Sequence, residues 1–185
     1  MGKIKKITRE YYEMIWSEGD IEKKKATYIL VASGRAREVM PYLENKVLDM
    51  GCGIGMVGKF IPTYWGVDWS EAALKIARED NPHGTFHRLD LHTDRIPYDD
   101  KFFETVLLQE IIEHLDDYSH CLSEAKRLAR KRIVITVPQK MAIPIHYHPV
   151  WTEESCRREF GHLGKIARLW KRGSLYWLML IECSR

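Results

Sequence analysis

Two stretches of the chain gather the residue types that do chemistry. The first is "DMGCGIGMVG" (49–58), an aspartate followed by glycines at 51, 53, 55 and 58. Glycines so spaced let the backbone take positive φ and approach a ligand closely, as an adenosine-containing cofactor demands. The second is "QEIIEHL" (109–115), followed later by "HYHPVW" (146–151). Glu110, Glu113 and His114 stand at i, i+3 and i+4, so one helical turn would set two carboxylates and an imidazole on one face. With His148, and His146 beside it, they form a mixed oxygen and nitrogen donor set that suits a divalent metal or general acid–base work. The same residues would also serve a plainer purpose, with Glu113 capping a helix or pairing with an arginine and His114 packed as a wall.

The glycine loop has two readings. From Gly53 it contains G-x-G-x-x-G, the fingerprint of a dinucleotide turn; from Asp49 it is a strand-end carboxylate followed by alternate glycines. Three features favour a methyl donor over a hydride carrier. Asp49 would repel a pyrophosphate entering the turn, yet suits the ammonium end of a cofactor that carries an amino acid. Asp68, the acidic residue closing the next strand, lies 15 positions after Gly53, short of the spacing of about twenty in dinucleotide folds. Beyond Pro138 only one helix and a hairpin remain, too little for a second βαβαβ half.

These residues need elements to hold them. From Lys46 onward short apolar runs alternate with helix-length segments. Strands are expected at 46–51, 63–69, 84–91, 104–111 and 132–138, and helices at 70–80 (Ser70 as N-cap), 116–131 and 152–161. The segment 165–183 divides at Arg172-Gly173-Ser174 into a hairpin. The pattern predicts an α/β fold: parallel βαβ units with an antiparallel edge, whose ligand sits beyond the carboxyl ends of the strands. Residues 1–45 read as helices, broken at Gly19-Asp20, that would cap cofactor and substrate over a core of 46–185 within one structural domain.

Together "VLDMGCGIG", "GVDWSEAALKIARE", "LDLHTDRIPYDDKFFETVLLQEIIEHL" and "RIVITVP" resemble class I S-adenosylmethionine-dependent methyltransferases of the type 11/12 kind, in the family's order across residues 46–138. The resemblance implies a three-layer, doubly wound, seven-stranded, mostly parallel sheet of Rossmann-like form, ending in an antiparallel hairpin. It implies S-adenosylmethionine as cofactor, with Asp49, Gly51, Cys52 and Gly53 around the methionine moiety and Asp68 on the ribose hydroxyls. Asp90 and Leu91 would meet the adenine amine edge and Gln109 would lie beside the cofactor, while Trp69, next to Asp68, would either stack on adenine or serve as a core or lid tryptophan. The E-x-x-E-H run is similar to that of small-RNA 3′-terminal 2′-O-methyltransferases, where it holds a metal, and of ubiquinone-pathway O-methyltransferases. This implies Glu110, Glu113, His114 and His148 as metal ligands, and His114, Glu113 and His148 as catalytic residues. Glu104 departs from the aspartate usual at its position, and Pro62 cuts short the helix after the glycine loop.

The expected activity is methyl transfer to a nucleophile, with a small-molecule hydroxyl favoured over an RNA 2′-hydroxyl. A non-catalytic cofactor-binding subunit and a nicotinamide-dependent oxidoreductase are the rivals. Composition sets bounds on partners. At 185 residues, 45% hydrophobic and 30% charged, the chain reads as a soluble domain. It has no apolar run able to cross a membrane, and its basic start lacks the apolar stretch of a signal peptide. Four widely spaced cysteines without C-x-x-C point to a reducing, cytoplasmic setting. The net charge of +3 names no polyanionic partner. Arg157, Arg158, Lys165, Arg168, Lys171 and Arg172 form a local basic cluster, either a solvated face or a surface for an anionic ligand.

Overall fold

The computed structural model describes residues 9–140, 146–148, 150–173 and 175–183, with the side chains of Arg9, Leu30 and Val31 left aside. The basic start and parts of 139–151 lie outside these residues, as does Ser174 of the hairpin turn.

Two helices lead in, α1 (Arg9–Ser17) and α2 (Ile21–Val39). Gly19 breaks them at φ +72, and Asp20 then caps α2 by accepting from the Lys23 N–H at 3.0 Å. The core follows as β1 (Val47–Met50), β2 (Tyr64–Asp68), α3 (Glu71–Asp80), β3 (Thr85–Arg88), β4 (Phe103–Gln109), α4 (Ser119–Leu128), β5 (Ala129–Pro138), α5 (Glu153–Phe160), β6 (Lys165–Arg172) and β7 (Tyr176–Glu182). Ser70 caps α3 through the Ala73 N–H, and Thr152 with Ser155 closes a capping box on α5.

The strands form one seven-stranded sheet in the order β3-β2-β1-β4-β5-β7-β6. β1 to β5 are parallel, and β7 runs antiparallel between β5 and β6. Alternate residues point to opposite faces, and both faces are covered. Leu48, Val106, Leu108, Ile133, Ile135 and Met179 pack with Leu122, Ala125 and Phe160 of α4 and α5. Val47, Leu107, Val134 and Leu178 pack on the other side with Ala36, Val39 and Leu74 of α2 and α3. Burial on both faces is why these strands read as unbroken apolar runs. The chain turns back between β1 and β4, so the crevice for a ligand opens at their carboxyl ends.

Three elements differ from expectation: β3 stops at Arg88 instead of 91, because the turn fixed by Asp90 follows it, and the boundary of α4 and β5 is moved. α4 is shorter than 116–131, because Ala129 already pairs with Phe103 and β5 begins there. Sheet hydrogen bonds, including Cys183 N–H to Lys131 O at 2.8 Å, outweigh the helical preference of Ala129-Arg130-Lys131. The basic cluster lies on α5 and β6. Arg157, Arg158 and Arg172 pair with Glu153, Glu159 and Glu38, while Lys165, Arg168 and Lys171 are exposed along the edge strand, where charge deters edge-to-edge pairing. Among the described residues no helix is long and apolar enough to cross a membrane.

Candidate functional site

A cavity of about 800 Å³ opens at the carboxyl ends of β1, β2 and β4. Its floor is the glycine loop. The Gly51 and Cys52 N–H groups both donate to Val67 O, at 2.8 and 3.0 Å, which folds the chain back sharply after β1. Gly51 takes φ +81 there, and a Cβ at this position would stand 2.6 Å from Ile111 Cγ1, so the turn demands glycine on two counts.

Strand ends deliver the carboxylates. Asp49, 4% exposed, accepts from the Tyr64 hydroxyl at 2.7 Å, and burial pushes its carboxyl up to about 7. Asp68 accepts from Gly53 N–H at 2.8 Å through one oxygen and from Ser70 N–H at 2.9 Å through the other. It thereby ties the glycine loop to the start of α3; burial raises its pKa above the usual carboxylate value. Asp90 accepts from the His92 N–H at 3.0 Å and the Thr93 hydroxyl at 3.2 Å, fixing the turn after β3. Trp69 lies under the Arg88 guanidinium, 5.0 Å from its ring centre. Asp49, Gly51, Cys52, Gly53, Asp68, Trp69, Asp90, Leu91 and Gln109 all line this one cavity.

The second constellation is built differently from the expected helical face. Glu110 sits at φ +53, a left-handed conformation costly for a non-glycine residue, and only Ile112–His114 form a single 3-10 turn. The Glu110 N–H donates to Thr136 O and Oγ1, at 3.2 and 3.1 Å, and its carboxylate pairs with Arg35 of α2 at 3.2 Å. Glu110 and His114 line the cavity, whereas Glu113 is fully buried outside that lining. Both Glu113 oxygens are buried without a hydrogen-bond partner, and burial followed by the Glu110 charge drives its pKa well above normal.

Glu113, His114 and His146 present ligand atoms that all lie within 4.8 Å of one another. Glu110 and His148 are not in that group. The His148 ring packs instead against Tyr118 and Trp151, at 5.1 and 6.1 Å between ring centres, with its Nε2 buried and unpartnered. The loop carrying the histidines is pinned by Tyr147 N–H to Glu113 O at 2.8 Å.

Which side chains of the leading helices reach the cavity was not legible in the sequence. Tyr12 and Trp16 of α1, Tyr28 and Arg35 of α2, and Tyr147 also line the cavity. The spacing of Tyr12 and Trp16 marks an apolar face, but nothing local says that this face covers a ligand site.

Comparison with known proteins agrees with this geometry. A family model described as a methyltransferase domain matches residues 48–135. A TehB-like S-adenosylmethionine-dependent methyltransferase from Corynebacterium glutamicum is similar in structure, with a TM-score of 0.68, 18% identity, and coverage of 89% of this chain and 96% of that one. Magnesium protoporphyrin IX methyltransferase from Synechocystis, solved with bound S-adenosylhomocysteine, has a TM-score of 0.68 at 19% identity, covering 95% and 97%. A chain of the complex containing the Trm112 methyltransferase activator of Haloferax volcanii has a TM-score of 0.74 at 15% identity, covering 96% and 100%. Among curated protein sequences none matches the chain.

Proposed function

We propose that the chain, with a methyltransferase domain match over residues 48–135 and the fold of S-adenosylmethionine-dependent methyltransferases, uses that methyl donor to methylate a hydroxyl oxygen of a small molecule held against His114. The observation that carries this reading is the single cavity whose lining joins Asp49, Asp68 and Asp90 to His114 on one rim of the sheet.

Each residue has a task set by its chemistry. Asp49 binds the ammonium of the cofactor's amino-acid end, and Asp68 accepts from the two ribose hydroxyls. Asp90 and Leu91 meet the adenine amine edge, Trp69 stacks on the ring, and Gln109 lies alongside. The backbone of Gly51, Cys52 and Gly53 allows close approach. α1 and α2 act as a cap over cofactor and acceptor.

The bound donor supplies a methyl carbon on a sulfonium, already a good leaving group. The protein's part is alignment and removal of a proton. His114 takes the hydroxyl proton as the acceptor oxygen bonds to the methyl carbon; the carbon–sulfur bond breaks and its electron pair stays on sulfur.

The lining favours a small acceptor over RNA. It carries six carboxylates, Glu10, Asp49, Asp68, Asp90, Glu110 and Asp116, against a single arginine or lysine among the described residues, Arg35. A phosphate backbone would find one cation there, Arg35, already paired with Glu110, and the cations of α5 and β6 do not line the cavity.

A divalent cation fits Glu113, His114 and His146 better than the set with Glu110 and His148. The buried, unpartnered oxygens of Glu113 are the reason, since an uncompensated buried carboxylate is costly. With an ion there, His114 would be a ligand instead of the base, and the ion would lower the pKa of the acceptor hydroxyl in its place. The four cysteines are all free thiols, which suits a cytoplasmic protein.

Labelled methyl donor, offered with a metabolite panel and with RNA, tests the reading. Label in a hydroxyl-bearing metabolite, lost in His114→Ala, is expected. Label in RNA alone, or an undiminished His114→Ala variant, would contradict it.

A further inference from the structure

Tyr12 has no part in the scheme above, yet its hydroxyl lies 2.9 Å from Nδ1 of His114, across 102 positions of sequence. The two rings meet edge-on with centres 5.8 Å apart, and both line the cavity. α1 is tied down where this contact is made. The next residue, Glu13, accepts from the Ala72 N–H at 3.2 Å in the first turn of α3, the helix that begins just past Asp68. Ile15 and Trp16 of the same helix also line the cavity. α1 thus reaches both ends of the site, the cofactor side through Glu13 and the acceptor side through Tyr12. Burial, and then the neighbouring Glu113 charge, raise the phenol above its ordinary pKa, so it remains a neutral hydroxyl.

A neutral imidazole carries one proton on two nitrogens, and the hydrogen bond at one nitrogen selects the form present at the other. With Nδ1 engaged by Tyr12, any proton or ion that His114 exchanges with an acceptor passes through Nε2. Nε2 can receive a proton only if Nδ1 holds the ring's own hydrogen, and that hydrogen needs an acceptor in a half-buried wall. We propose that Tyr12 is the positioning residue of the acceptor site: its oxygen accepts the Nδ1–H of His114 and fixes the tautomer in which Nε2 presents its lone pair. The inference rests on the proposed role of His114. It makes α1 part of the acceptor site, so His114 is set for reaction only while the cap is docked.

Nitrogen-15 spectra of the His114 ring test this, recorded at a pH high enough that the ring resonances no longer move with pH, which marks the neutral ring. Wild type and Tyr12→Phe are compared, with S-adenosylhomocysteine titrated into each. His114 is expected as the Nδ1–H form in wild type, and substantially as the Nε2–H form in Tyr12→Phe, with cofactor-product affinity changed by less than about twofold. With a methyl acceptor in hand, Tyr12→Phe should lower kcat about tenfold and leave the donor KM alone. An Nε2–H ring in wild type, or the same tautomer in both proteins, overturns the proposal. So does a loss of more than about tenfold in S-adenosylhomocysteine affinity, which would make the hydroxyl a fastener of α1 and no more. The tautomer is read without cofactor. Failure of wild type to bind S-adenosylhomocysteine would count against the methyltransferase reading instead.

Discussion

Replacing Asp68 by asparagine keeps the side chain's shape and exchanges one acceptor oxygen for a donor. In the protein both oxygens serve backbone donors, Gly53 N–H at 2.8 Å and Ser70 N–H at 2.9 Å. Whichever way the amide turns, one N–H of that pair faces an NH2 group. Hydrogen bonds to a charged group contribute about 1.5–3 kcal/mol each, so the variant should lose about 2 kcal/mol of stability. For a chain of this size that lowers the thermal midpoint by about 4–8 °C. The charge that would receive the ribose hydroxyls disappears as well. A further loss of about 2 kcal/mol in binding is roughly a thirtyfold weaker Kd. Calorimetric titration should find S-adenosylhomocysteine and adenosine weakened by the same factor, because both carry the ribose whose hydroxyls Asp68 would hold. An Asp68→Asn protein that binds both as tightly as wild type would refute the reasoning, as would one that loses only S-adenosylhomocysteine.

Other consequences can be checked independently. Asp49 is protonated below about 7 and ionised above it, and the ammonium of the cofactor needs the ionised form, so affinity should rise with pH to a plateau above 7. Asp49→Asn should flatten that profile, and a wild-type profile already flat between pH 5 and 8 (about the range in which a group of this pKa titrates) would exclude the role. Gly51→Ala meets φ +81 and Ile111 at 2.6 Å, so denaturant unfolding should register a loss of about 2–5 kcal/mol; a neutral outcome would mean the turn is built otherwise. A divalent ion should raise the thermal midpoint of wild type but not of Glu113→Gln, and the absence of any such shift with zinc, manganese or magnesium would remove the ion.

The fold was legible where burial dictates pattern. Val47-Leu48, Val106-Leu107-Leu108 and Ile133-Val134-Ile135 face apolar layers on both sides and so read plainly as strands. Asp49 and Asp68 were legible as carboxylates near the carboxyl ends of β1 and β2, and both line the cavity. The turn at 110–114 was not, since the helical spacing of Glu110, Glu113 and His114 says nothing of the left-handed backbone at Glu110, which turns its carboxylate to Arg35. Nor could spacing choose between His146 and His148, which depends on how Tyr147 N–H anchors the loop to Glu113 O. Tyr12 and Arg35 reach the cavity across 102 and 75 positions. Contacts at such separation leave no local signal in one sequence.

Isothermal titration of the purified chain measures directly what the cavity between the glycine loop and His114 binds. S-adenosylmethionine and S-adenosylhomocysteine should each bind at one site with a Kd in the micromolar range, about −8 kcal/mol, while NAD gives no heat of binding. Saturable binding of NAD, with none of the methyl donor or its product, would contradict the account at its centre.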